Sequence, residues 1–335
     1  MLEGERLLCS VLVLRSNTIE WERLPLVAFY ASKWNTLLWA ATASQLFVLR
    51  SKPRSVLSFA AMHYINIGGG DPMRNLFMVV SYDGTRYHGF QTQPGENTIQ
   101  DYIEASIHAL TGETVKIIAS GRTDAGVHAR AQVFNFETQS SIPIERWCLA
   151  LNTRLPNDIV IRSAQEVPLS FHSRHSAHWK TYRYTINANA FPDVFNRAYE
   201  FHHPTKLDIE EMRTALSHMV GTFDYTSFAS RKSTKASHVR TIYKAWMEHD
   251  VSSAIPGTRD QGIIHTYVTG NGFLQHMVRI MMGTLVRVGQ GKFKSEDIPG
   301  IIAAEDRSAA GPTAVAHGLT LWEVGYDLNE LSIEK

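Results

Sequence analysis

After Met73 the same order of elements can be read twice, and that repetition limits the architectures open to the chain. The run "LFMVVSY" (76–82) has strand character, and "DGTRYHGFQTQPG" after it is rich in turn residues. Thr98, with Asp101 three positions on, predicts a helix start, and Ile99, Ile103, Ile107 and Leu110 recur at helical spacing until Gly112. "VKIIAS" (115–120) reads as a short strand. "AQVFNFET" (131–138) alternates as a half-buried strand does, with a loop between the two. "IPIERWCLALNTRL" predicts a helix with Pro143 near its start, and "DIVIRSAQEV" a strand.

The second pass begins with the strand "WKTYRYTINA" (179–188) and a helix over Leu207–Val220 capped by Asp208. The strands "VRTIYKAWMEHD" and "GIIHTYVTG", a long helix "FLQHMVRIMMGTLVRVG" and a closing strand "GLTLWEVGYDL" follow, with a short extra helix near Ser295–Ala304. Each pass is β-α-β-β-α-β, the ferredoxin-like unit. The expected class is α+β: two such halves forming one extended, mainly antiparallel sheet, helices on one face and the other free for a large ligand. The boundaries drawn are 73–177 for the first half and 178–335 for the second.

Residues 1–72 fit neither pass. Trp21, Trp34 and Trp39 are scattered, and no hydrophobic period persists. The apolar stretch "NTLLWAATASQLFVL" is broken by polar residues and short of the ~20 needed to span a bilayer. Glu3, Glu5, Glu20 and Glu22 argue against a mitochondrial presequence. The expectation is a poorly ordered or non-native extension, with translation starting at Met73 and no function upstream.

Composition narrows the partners less than the motifs do. The formal net charge is +1, and residues 73–335 carry 26 basic and 27 acidic side chains. An anionic partner would therefore need a local patch. Cys9 and Cys148 make no disulfide framework, which predicts a reducing, cytoplasmic setting. His172, His175 and His178 lack the cysteine or carboxylate company of a zinc set, so no metal is expected.

The chemistry-bearing stretch is "SGRTDAGVHARAQVFNF" (120–136). Gly121 and Gly126 permit tight turning around Asp124, and Arg122 sets a cation nearby. By itself this is also a good turn sequence, with Asp124 bonding neighbouring amides. The late helix carries an apolar stripe of Phe273, Met277, Ile280 and Met281, with Arg279 off its centre. His276 reads equally as a pocket residue or a packed helix contact.

"GRTDAGVHARAQV" closely resembles the signature loop of the tRNA pseudouridine synthase A family. "SYDGTRYHGFQTQ", "FHSRHSAHWKTYRY" and "NGFLQHMVRIMMGTLVRVGQG" resemble three further family segments in the same order, so the likeness spans residues 73–335. It implies the pseudouridine synthase fold and an isomerase that converts uridine to pseudouridine at positions 38, 39 and 40 of the tRNA anticodon stem-loop. It implies a homodimer without metal or organic cofactor. Asp124 matches the nucleophile, Tyr182 the aromatic residue that stacks on the uracil, and Arg279 the cation that pairs with the carboxylate. The Tyr182 hydroxyl offers one route for removing the C5 proton. Phe90 stands where relatives often carry tryptophan, a change of packing rather than chemistry.

Arg122, His276 and Arg240 are expected to contact substrate. Arg86, Arg174, Lys180, Arg183, Arg231, Lys232, Lys235 and Arg279 join Arg122 and Arg240 as ten candidates for a phosphate track, with "FASRKSTKASHVR" (228–240) as a flexible contact loop. Two other readings stay open: a pseudouridine synthase for other RNA positions, and a non-catalytic RNA-binding relative.

Overall fold

The computed structural model describes residues 8–15, 18–25, 72–95, 97–327 and 329–332. The chain divides into two units, Met1–Asn66 and Ile67–Lys335. In the first, β1 (Leu8–Arg15) and β2 (Thr18–Pro25) pair antiparallel. This hairpin was not expected: no hydrophobic period persists through the segment, and the apolar run Val11–Leu14 within "LCSVLVLR" carries no alternation. The remaining expectations for residues 1–72 lie outside the described residues.

The second unit is built on a ten-stranded sheet. Its first six elements are β3 (Arg74–Tyr82), α1 (Ile99–Thr111), β4 (Ile118–Ala119), β5 (His128–Thr138), α2 (Ile144–Asn152) and β6 (Ile159–Val167). Next come β7 (Trp179–Asn187), β8 (Phe201–His202), α3 (Ile209–Ser217), β9 (Gly221–Asp224), β10 (Val239–Asp250) and β11 (Ile263–Gly270). The chain closes with α4 (Met277–Gly289), α5 (Asp297–Ala303) and β12 (Leu319–Gly325).

The sheet runs β6-β3-β5-β12-β7-β11-β10-β9, with β4 also on β5 and β8 on β7. Within each repeat the strands lie in the order fourth, first, third, second. The repeats join through a short parallel contact, Thr320 opposite His128 and Leu321 opposite Ala129. The double ferredoxin-like reading therefore holds. The short strands β8 and β9 were not anticipated, and α4 starts at Met277 rather than Phe273.

Local signals explain the helices. Thr98 and Asp101 form a complete capping box at α1, and Gly112 closes the helix in the left-handed region at φ 76°. Ile99, Ile103 and Ile107 are fully buried on its inner face. α1 packs on α2, and α3 on α4 and β10. Alternate strand residues meet these helices: Leu76, Met78 and Val80 from β3, and Tyr182, Tyr184 and Ile186 from β7.

The opposite sheet face is not simply open. Phe77, Val133, Val167 and Phe171 form a second cluster there, with Tyr326 and Leu331 packed against it. Further along that face the Arg183 and Arg130 guanidiniums lie 3.9 and 4.4 Å from the Trp322 ring centre. Among the described residues no helix is long and apolar enough to cross a membrane.

Candidate active site

Residues 120–127 connect β4 to β5 at the middle of the sheet. Strand β4 stops after two residues, while the same edge of β5 is taken up further along by β12. The loop therefore rises where one repeat hands over to the other.

It is tied down at several points. The Tyr82 hydroxyl and Thr123 Oγ1 lie 2.7 Å apart, and Phe90 N donates to the Thr123 carbonyl at 3.2 Å. A Cβ on Gly84 would fall 2.1 Å from the Val127 carbonyl oxygen, so only glycine lets the 83–90 segment lie this close. Phe90 is buried and packs 6.0 Å from Tyr82, which agrees with a packing role. Gly126 has φ 75° and is needed for the turn. Gly121 is not: its φ is ordinary, and an added Cβ would meet Lys180 Cε at 3.5 Å, a normal contact.

Asp124 is half-buried at the top of this loop. Its Oδ2 accepts from Arg279 Nη1 at 2.9 Å, and His276 Nε2 lies 3.6 Å from the same oxygen. Arg279 is oriented by a second bond, Nε to the Ala314 carbonyl at 2.8 Å, and its own carbonyl accepts from Ala314 N at 3.0 Å. That pairing of helix and loop needs Gly283, where a Cβ would meet the Pro312 oxygen at 1.7 Å. Thr284 Oγ1 adds a bond by accepting from Gly311 N at 2.9 Å. The segment "GPTA" (311–314) is thus part of the site. The sequence reading passed over it, although a Gly-Pro pair between a helix and a strand marks such a turn.

Tyr182 lies below Asp124, on the helix-bearing face. It is 8% exposed and meets the Phe273 ring edge-on at 5.0 Å. Burial and the nearby Asp124 charge push its hydroxyl well above the ordinary tyrosine range. Burial and that charge favour the protonated phenol over the phenolate. His276 opens α4 in the left-handed region at φ 63°. A non-glycine residue held there stores strain, which fits a site residue better than a plain helix contact.

Other expected contacts are not brought to Asp124. Arg122 is exposed and makes no hydrogen bond or ion pair among the described residues; Arg279, not Arg122, neutralises the carboxylate. Arg240 folds back on the carbonyls of Ser237 and Val239, at 3.2 and 2.6 Å. The ten basic residues do not share one face: Arg183 sits over Trp322 on the far side of the sheet, and Arg86 is paired with Asp158 at 2.5 Å. Strand alternation put Arg183 opposite Tyr182, a constraint that simple proximity in sequence ignores. His172 accepts from the amides of Arg174 and His175 at 3.2 and 3.3 Å, a local turn.

The geometry offers a presented carboxylate, a fixed guanidinium and an aromatic floor. A family model described as tRNA pseudouridine synthase matches residues 78–176 and 215–327. The tRNA pseudouridine synthase A of Brevibacillus brevis is 46% identical over 254 residues, covering 76% of this chain and all of that protein. Those of Bacillus pumilus and Bacillus subtilis are 46% and 43% identical, each over 74% of this chain and 97% of their own length. With the sheet order, the shared length and this level of identity in agreement, the chain belongs to the tRNA pseudouridine synthase family of isomerases.

Proposed function

We propose that the protein converts uridine to pseudouridine at positions 38, 39 and 40 of the tRNA anticodon stem-loop, with Asp124 as nucleophile. The single observation that carries the reading is the Asp124–Arg279 contact at 2.9 Å, made between a loop of the first repeat and a helix of the second. Residues 73–177 supply the nucleophile, and residues 178–335 supply Tyr182 and Arg279.

Asp124 attacks either C1′ of the ribose or C6 of the uracil. The N1–C1′ bond breaks, the base turns, and C5 bonds to C1′. The C5 proton leaves to solvent, N1 gains a proton, and the carboxylate is released. The change is redox-neutral and calls for no metal or organic cofactor. Arg279 offsets the charge of Asp124 as the site closes over the base. The Tyr182 ring replaces stacking lost from the RNA loop, worth roughly 1 to 3 kcal/mol per base. The proposed setting is a cytoplasmic homodimer, which light scattering of the purified protein would test.

Release of tritium from C5-labelled uridine in tRNA tests the reaction. The wild type is expected to release it and to leave pseudouridine at 38 to 40, and Asp124→Asn to lower release at least about 10³-fold. Equal release by both would remove Asp124 from the reaction. Product at other positions would favour the alternative target.

A further inference from the structure

Beside the Asp124 site lies a pocket of about 370 Å³. Ser230, Arg231, His276, Arg307, Ser308 and Thr313 contribute to its wall. His276 belongs to both sites, since its Nε2 is 3.6 Å from Asp124 Oδ2, so the pocket begins where the reactive centre ends.

Two guanidiniums meet at this pocket, and neither has a carboxylate within ion-pair distance among the described residues. Arg307 reaches only the Ala310 carbonyl and Thr313 Oγ1, both at a long 3.4 Å. Arg231 is exposed and has no hydrogen bond within those residues. The neighbouring Asp306 feels the Arg231 charge, but its oxygens are occupied by the amide and hydroxyl of Ser308. Partial burial and the Arg231 charge weaken the hold of Arg307 on its proton. Two like charges converging on one pocket leave it short of an anion.

The arginines come from separate segments that are both fastened to α4. Ser230 N donates to the Gln275 carbonyl at 3.0 Å, just before His276, and the 311–314 segment is clamped against Gly283 and Thr284. The backbone segments that carry the pair are therefore tied to the helix that also carries Arg279. Guanidinium forks with hydroxyls beside them match the oxygens of a phosphodiester.

We propose that this pocket grips a backbone phosphate of the RNA strand next to the uridine held at Asp124, setting the register of that nucleotide. The proposal rests on the reading of the enzyme as an RNA-modifying one, and its test does not depend on turnover. Binding of an anticodon stem-loop RNA is measured with single methylphosphonates, which remove one phosphate charge at a time around the target. One such position is expected to weaken binding to the wild type about tenfold. In Arg231→Gln/Arg307→Gln the same replacement is expected to cost less than about twofold, with unmodified RNA bound about tenfold more weakly and a lower salt slope. Arg307→Lys is expected to recover part of the loss by restoring the charge.

Equal methylphosphonate penalties in wild type and double variant would overturn the proposal. So would a wild type indifferent to every replacement flanking the target, a result that needs no variant to fold. Inorganic phosphate is the control for a free anion: a pocket that took it as readily as the RNA strand would be an anion site unrelated to register. A wild type that binds the RNA with the expected phosphate dependence but forms no pseudouridine would instead defeat the proposed function and leave this pocket standing.

Discussion

The two repeats share a strand order and differ at the equivalent connection. In the first repeat β4 has two residues, and the loop after it carries Asp124, bonded through Thr123 and packed against Gly84. In the second repeat β10 has twelve residues, and the connection to β11 is a hairpin whose Val251 and Ile255 are exposed. Its carboxylate, Asp260, accepts from the amides of Ala190 and Ile255 at 2.7 and 3.1 Å, a local structural use. The helices diverge as well. On α2, Trp147 and Leu151 are buried while Leu149 is 72% exposed, whereas α4 is buried along most of its length. One topology thus serves two ends: a broken strand presents a carboxylate, and a buried helix holds the cation that meets it. Neither repeat contains the pair by itself.

The largest effects belong at the meeting point. Loss of charge in Asp124→Asn is expected to stop tritium release while leaving the melting temperature nearly unchanged, since the side chain is not part of the core. Arg279→Ala removes both the contact to Asp124 and the tie to Ala314, and a rate loss of about 10²- to 10³-fold is expected with a smaller change in tRNA affinity. Arg279→Lys supplies one charge but cannot make the forked contact, so it is expected to stay well below wild type. Normal turnover in either variant would break the division of labour between the repeats.

The backbone partners are the next test. In an exposed helix, glycine to alanine gains up to about 1 kcal/mol. At Gly283 the sign reverses, because the new Cβ would lie 1.7 Å from the Pro312 oxygen. Gly283→Ala is expected to lose about 1 to 3 kcal/mol of stability and to slow the reaction at least tenfold, as the 311–314 segment lifts and releases Arg279. Thermal melting and tritium release read the two effects separately. A more stable, fully active variant would show that this segment does not orient Arg279.

Much of this is legible in the sequence. The isoleucines of α1, its Thr98–Asp101 cap and the alternation of β5 report periods and caps that depend on nearby residues alone. Asp124 could be singled out but not weighed, because its partner stands 155 positions away. What the sequence hid was long-range: the Ala314 carbonyl and the closeness of Pro312 to α4; the face of Arg183 was available from strand alternation and was overlooked. Nearness along the chain did not identify the guanidinium that reaches the carboxylate: Arg279 pairs with Asp124 and the adjacent Arg122 does not, which leaves the expected substrate contact of Arg122 untouched.

The smallest expected effect separates the two uses of Tyr182. Its ring is part of the buried floor, while its hydroxyl makes no hydrogen bond among the described residues and is held protonated by burial and by Asp124. If only the ring matters, Tyr182→Phe keeps the stacking surface and loses less than about tenfold in rate. Tyr182→Ala forfeits the stacking and opens a cavity, which costs more in both rate and stability. A hydroxyl that moved the C5 proton would be worth about 10²- to 10⁴-fold, the usual range for a positioned acid or base. Tritium release from Tyr182→Phe therefore distinguishes an aromatic floor from a proton carrier, and a loss in that higher range would return the second repeat a chemical role beyond holding the cation and the base.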